Sequence, residues 1–130
     1  MIVVDASVFT DALIDAMDRG HQARDLLAHS QPVAPAIVDV EVLSSLRRQL
    51  RSGTITPDHA SFAIQRLRRL DIRRVLVDVL TPRIWELRDN LTPYDAAYVA
   101  LAEALELPLW TADKRLAQAP GTNCTVHILE

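Results

Sequence analysis

One cysteine, Cys124, is all the thiol chemistry this chain carries. A lone thiol makes no intrachain disulfide and no cysteine-based zinc cluster. Its apolar setting near the C-terminus fits a small buried residue in a terminal strand better than a reactive one. Glycine is nearly as scarce, three in 130 residues, and none belongs to a glycine-rich phosphate loop. So little glycine beside a 49% hydrophobic content excludes a disordered chain and points to a compact, helix-rich domain. The histidines, His21, His29, His59 and His127, share no metal-ligand or triad spacing. No apolar run approaches the roughly 20 residues that span a bilayer, so no membrane partner is expected. The first residues carry no basic stretch, and Asp5 and Asp11 interrupt their apolar run. No leader is therefore expected, and the cytoplasm is the expected location.

Positive charge is not in excess either. Lys and Arg number 14 against 17 Asp and Glu, a formal net charge of −3. That disfavours a protein held to nucleic acid by its overall field. It does not disfavour an enzyme that meets phosphates through a bound cation and local arginines. Arginines cluster at Arg47, Arg48 and Arg51, and again at Arg66, Arg68, Arg69, Arg73 and Arg74. Solvated helix faces account for such clusters, and a grip on RNA phosphates is the functional alternative.

What the chain does have is strands alternating with helices over a single domain, residues 1–130. Residues 2–4 form a short apolar run ending at Asp5, which reads as a buried strand. Helices are expected over 7–17, with Ser7 as cap, and over 21–28, with Gly20 interrupting between them. Residues 32–35 read as a strand whose two prolines suit a sheet edge or the strand ends. A long helix over 36–51 stops at Gly53. It places Val42, Leu43, Leu46 and Leu50 on one face and Glu41, Ser44, Ser45 and Arg48 in a polar stripe on another. Thr56 and Pro57 open a helix to about residue 70, and residues 74–77 form the third strand. Further helices follow over 81–90 and 92–106, a strand over 107–111, a short helix over 114–119 and a last strand over 124–129. This alternation predicts an α/β/α sandwich around a mainly parallel five-stranded sheet.

Four acids stand at strand ends or helix starts: Asp5, Glu41, Asp95 and Asp113. In a parallel sheet all strand C-termini lie on one edge, where ligands bind, so acids distant in sequence converge there. Converging carboxylates repel unless a proton or a cation relieves them. A hard divalent ion such as Mg²⁺ or Mn²⁺, which takes oxygen ligands, is the matching partner. Each acid also has a plain structural alternative. Asp5 and Asp113 can cap the helices that follow them, and Thr92-x-x-Asp95 has the form of a capping box. Glu41 can be solvated surface, and Asp39 reads as a first-turn acid favoured by the helix dipole.

Four segments carry a family resemblance: Ile-Val-Val-Asp5-Ala-Ser7; Val-Glu41-Val-Leu-Ser-Ser-Leu-Arg-Arg; Leu-Thr-Pro-Tyr-Asp95-Ala-Ala-Tyr-Val-Ala-Leu-Ala-Glu; and Leu-Trp-Thr111-Ala-Asp113-Lys-Arg-Leu. In order and spacing they resemble the PIN domain, and more narrowly the VapC toxins, ribonucleases paired with VapB antitoxins. The resemblance implies a sheet order of 3-2-1-4-5 with Asp5 and Asp113 at the switch point. It implies a Mg²⁺- or Mn²⁺-dependent endoribonuclease that hydrolyses RNA by metal-activated water, leaving a 5′-phosphate and a 3′-hydroxyl. It implies homodimers and inhibition by a cognate VapB-like antitoxin. Asp5, Glu41, Asp95 and Asp113 carry over as the acidic, metal-holding site, and Ser7 and Thr111 as hydroxyl helpers. Some relatives have a further acid where this chain has Leu116. The exposed parts of the first, second and fourth helices, with Phe9, Leu13, Leu26, Phe62 and Leu67, are the expected docking surface for the antitoxin.

Other phosphate-handling folds fit less well. A haloacid-dehalogenase-like phosphatase needs a second Asp where Ser7 stands. A response-regulator receiver needs paired acids after the first strand. Asp5 has no acidic neighbour, and the only lysine, Lys114, is misplaced for it. A non-catalytic PIN-like binding module is the remaining alternative, and such modules usually lack part of the acidic set.

Overall fold

The computed structural model describes residues 1–130. Five short strands, β1 (Ile2–Val4), β2 (Pro32–Pro35), β3 (Arg73–Val75), β4 (Leu109–Thr111) and β5 (Val126–Ile128), form one sheet in the order β3-β2-β1-β4-β5. Every pairing is parallel. The expected order is therefore observed, and the sheet is wholly rather than mainly parallel. The chain reverses direction across the sheet between β1 and β4, which makes that junction the switch point. β1 is an unbroken apolar run because both its faces are covered; Val3 and Val4 are fully buried.

The proline-bounded strand is not at the edge. β2 lies between β1 and β3, with Pro32 opposite Ile2 and Pro35 opposite Val75. Its prolines are tolerated there because each occupies a strand end, where the ladder does not need its N–H.

Seven helices pack around the sheet: α1 (Ala6–Ile14), α2 (Asp18–Ala28), α3 (Val38–Arg51), α4 (Pro57–Arg69), α5 (Thr81–Glu86), α6 (Pro93–Leu105) and α7 (Lys114–Ala117). A 3₁₀ turn over Asp78–Leu80 precedes α5. Helix α1 packs on α2, α3 and α4, while α6 lies against α5 and strands β1 and β2. In α6 every residue from Ala96 to Ala102 is buried. A helix apolar all round has to be enclosed, and its alanines allow the close approach.

Three local expectations change. Gly20 lies inside the first turn of α2 rather than between two helices. A Cβ there would stand 1.9 Å from the carbonyl oxygen of Asp15, so the glycine permits the tight α1–α2 junction. In α3, Val42 and Leu46 are buried, but Leu43 and Leu50 are exposed. Cys124 precedes β5 rather than lying within it, is only half-buried, and has its thiol pKa pushed up by burial.

Candidate active site

Register brings the first two site residues together. Val4 pairs with Trp110, so Asp5, just past the end of β1, and Thr111, the last residue of β4, stand side by side. The backbone N–H of Asp5 still belongs to the ladder, donating to Trp110 O at 2.9 Å. Its side chain does not cap α1, although it stands at the cap position. Instead Oδ2 accepts from Ser7 Oγ at 2.6 Å and from Thr111 Oγ1 at 2.9 Å. Both hydroxyls do a second task. Ser7 Oγ accepts from the N–H of Ala112 at 3.0 Å, and Thr111 Oγ1 accepts from the N–H of Asp113 at 3.0 Å. The hydroxyls thereby lock the end of β4 to the carboxylate of β1. Asp5 is only 6% exposed. Burial raises its pKa, and the hydrogen bonds from Ser7 and Thr111 offset only part of that rise.

The other carboxylates surround this point. Glu41, one turn into α3, receives the hydroxyl of Tyr98 at 2.7 Å. Its pKa is raised, first by burial and then by the charges of Asp5 and Asp95, against the lowering bond from Tyr98. Asp95 sits in the first turn of α6, where its N–H donates to the cap hydroxyl of Thr92 at 3.2 Å. Burial raises the pKa of Asp95, and the charges of Asp5 and Asp113 add to the rise. Asp5 and Asp95 thus act through charge on Glu41, and Asp5 and Asp113 on Asp95. Asp113, in contrast, also serves as the cap of α7, accepting from the N–H of Arg115 at 2.9 Å. This acid caps a helix and lines the same pocket as the other three.

The four acids and Ser7 line one open pocket of about 490 Å³. Its wall includes Ser44, Ser45 and Arg48, the polar stripe of α3, which is therefore a pocket wall rather than plain surface. Asp39 is not part of it. Arg74 on β3 donates to both its oxygens, at 2.6 and 2.8 Å, and holds its pKa down. Leu116 is fully buried in the core.

Two participants escaped the sequence reading. Tyr98 is one helical turn beyond Asp95 and lies inside an otherwise apolar stretch. A buried phenol needs a hydrogen-bond partner, and that was the available signal. Arg115, two residues after Asp113, donates to Asp113 Oδ2 at 3.2 Å and stands 3.6 Å from Asp95 Oδ2.

The donor set suits a hard divalent cation. It consists of oxygens, brings four carboxyl groups to one pocket, and opens to solvent. As folded, however, no three of these side chains are drawn into a single cage. Asp113 is turned toward its own helix and Arg115, and Glu41 toward Tyr98.

Comparison with known proteins gives the family. The PIN domain family model matches residues 2–121. A VapC ribonuclease of Mycobacterium bovis is 43% identical over 129 residues, 99% of this chain and 98% of its own length. Ribonuclease VapC1 of Mycobacterium tuberculosis is 42% identical over 128 residues, covering 98% of this chain and 96% of its own. Among solved structures, a toxin–antitoxin complex from Klebsiella pneumoniae superposes with a TM-score of 0.70 at 20% identity, over 100% of this chain and 98% of that one, and so shares the fold. A family model spanning most of the chain and relatives this similar along their whole length lead to one conclusion: the chain belongs to the PIN domain family, within its VapC ribonuclease branch.

Proposed function

We propose that this protein is a divalent-metal-dependent endoribonuclease, the toxin half of a toxin–antitoxin pair, and that Asp5, Glu41, Asp95 and Asp113 form its active site. The observation that carries the reading is the convergence of these four acids from β1, α3, α6 and the end of β4 on one pocket. Asp5, Asp95 and Asp113 would hold Mg²⁺ or Mn²⁺, with Glu41 closing the site. When bound, such a cation supplies Lewis acidity, favouring attack by water and offsetting negative charge on the phosphate.

The chain's own residues do the rest. Ser7 and Thr111 fix the rotamer of Asp5, so its carboxylate needs no reorganisation on binding. Tyr98 fixes Glu41 and favours its ionised form. Arg48 on one wall and Arg115 on another offer guanidinium groups to the RNA phosphates on either side of the reacting bond. Arg48 is held for that task by Ser45 Oγ at 3.0 Å. Hydrolysis breaks the bond from phosphorus to the 3′-oxygen and leaves a 5′-phosphate and a 3′-hydroxyl.

A VapB-like antitoxin is the proposed partner. Support comes from the Klebsiella neighbour, described as a toxin–antitoxin complex. The docking surface differs from the sequence expectation. Phe9, Leu13 and Leu67 are core residues, and Leu26 packs partly against that core. Of the five named, Phe62 is the one large side chain well exposed, at 56%. Exposed Val40, Leu76, Val79 and Trp85 add apolar surface for a partner or for a homodimer. No helix is long and apolar enough to cross a membrane.

The deciding experiment incubates RNA with the protein in Mg²⁺, in Mn²⁺ and in excess EDTA, and sequences the new 5′ ends. Cleavage is expected with either metal, not in EDTA, and not with Asp5→Asn. Full activity in EDTA overturns the metal-dependent reading. A neighbouring gene product that neither binds nor suppresses the activity overturns the toxin assignment alone.

A further inference from the structure

We infer that Arg115 is a built-in, displaceable counter-cation: it bridges Asp95 and Asp113 before a divalent ion binds, and moves to the RNA phosphate afterwards. The inference rests on the metal-dependent ribonuclease reading and extends it to a residue that positions substrate. Arg115 is the residue that pins Asp113 at both oxygens. Its N–H donates to Oδ1 at 2.9 Å and its guanidinium to Oδ2 at 3.2 Å. The same guanidinium nitrogen lies 3.6 Å from Asp95 Oδ2. Two of the four site acids thus already face a positive charge, and it stands where they would face an ion.

The contact is built to be given up. The Arg115 side chain is 77% exposed, and exposed ion pairs contribute little to stability. Its backbone N–H bond to Asp113 survives any swing of the side chain, so α7 keeps its cap while the guanidinium leaves. A divalent ion carries twice the charge and is attracted by all four acids, whereas the guanidinium reaches only two. Once displaced, the guanidinium remains tethered at the pocket wall. There a phosphate, itself drawn to the site, becomes its best bidentate partner. The residue thereby serves both states with one charge: it relieves repulsion without metal and binds substrate with it.

The test measures metal binding directly, by titrating Mn²⁺ into wild-type protein, Arg115→Gln, Arg115→Lys and Arg69→Gln in a calorimeter. Arg69 lies away from the site beside Gln65 and Arg68, and its variant controls for net charge. Arg115→Gln is expected to bind Mn²⁺ about three- to tenfold more tightly, since one opposing charge a few ångströms away is gone. Arg115→Lys and Arg69→Gln should stay near wild type. In Ca²⁺, a short single-stranded RNA should bind Arg115→Gln more weakly, with its salt slope reduced by about one. Equal or weaker Mn²⁺ binding by Arg115→Gln overturns the inference and leaves the metal-dependent reading standing. RNA binding unchanged in Arg115→Gln overturns the hand-over to phosphate. No Mn²⁺ binding by wild-type protein overturns the metal-dependent reading itself.

Discussion

Tyr98 donates its hydroxyl to Glu41 Oε1 at 2.7 Å and so ties α6 to α3 across the proposed active site. Burial and the neighbouring carboxylates, Glu41 above all, push the phenol's pKa far up, so it stays a donor at any working pH. The bond costs Glu41 none of its charge and fixes where that charge points.

Tyr98→Phe should therefore lower RNA cleavage by about tenfold, the low end of the loss typical when a group supporting a metal ligand is removed. Stability should change by about 1 kcal/mol. Without its donor, Glu41 takes up a proton more readily, so the acid limb of the activity profile should move to higher pH. Rates measured from pH 5 to 8 check this, and an unmoved profile would show that Tyr98 only packs.

Asp5→Asn should abolish cleavage yet raise the melting temperature in EDTA. Burial raises the pKa of Asp5, Glu41 and Asp95, so the folded chain holds these protons more tightly than the unfolded chain. Stability then falls as pH rises from the ordinary values, 3.8 for Asp and 4.5 for Glu, through the raised ones. Asp11, also raised by burial, acts in the same sense. Asp39, lowered by its bonds from Arg74, acts oppositely, and its contribution is lost only below the ordinary value. Melting scans in EDTA should show wild-type protein losing stability as pH rises above the ordinary carboxylate values, with a shallower loss in Asp5→Asn. A steeper loss in the variant would contradict the burial argument.

Thr111→Val keeps the shape of a fully buried side chain and removes its hydroxyl. The N–H of Asp113 loses its acceptor, and Asp5 Oδ2 keeps only the bond from Ser7. We expect a loss of about 1–3 kcal/mol, the cost of leaving buried polar groups unpaired, measured by urea unfolding. Cleavage should fall further than stability explains, because the rotamer of Asp5 is no longer held from β4.

Two bidentate arginine pairs should behave differently. Arg83 on α5 binds both oxygens of Glu103 on α6 at 2.7 and 3.0 Å, and also reaches Gly121 O at 2.8 Å. Glu103 is only 13% exposed and also accepts from the N–H of Asn123. Arg83→Ala leaves that carboxylate without its cation and should cost roughly 2–4 kcal/mol. The Arg74–Asp39 pair is about a third exposed on both sides, so Arg74→Ala should cost below roughly 1 kcal/mol. Denaturant midpoints of the two variants decide the order.

Glu106 ends α6 in a left-handed conformation at φ 53°, a place that normally favours glycine. Glu106→Gly should stabilise the protein by about 0.5–1 kcal/mol with cleavage unchanged, since removing Cβ relieves the strain. A lower melting temperature would show that its side chain makes a compensating contact.

The alternation of apolar runs and helical periods was sufficient for the fold class and for the strand-end positions of Asp5 and Asp113. These are local properties: a charge after three buried residues and a cap before a periodic stretch can be read along one line of sequence. Element ends shifted by a few residues, and Gly20 was misplaced, because a glycine's need for space at Asp15 depends on a neighbouring turn. The docking residues Phe9, Leu13 and Leu67 were misassigned because an apolar helix face does not say whether sheet or solvent lies beneath it. The different settings of Asp39 and Glu41 are likewise tertiary. They are two positions apart on α3 and point to different neighbours, one to Arg74 on β3 and the other to Tyr98 on α6. Parallel register alone put Thr111 against Asp5, and the first turns of α6 and α7 alone set Arg115 between two acids. Local sequence determines which groups are offered at a chain position. Only packing in three dimensions decides which of them share a field.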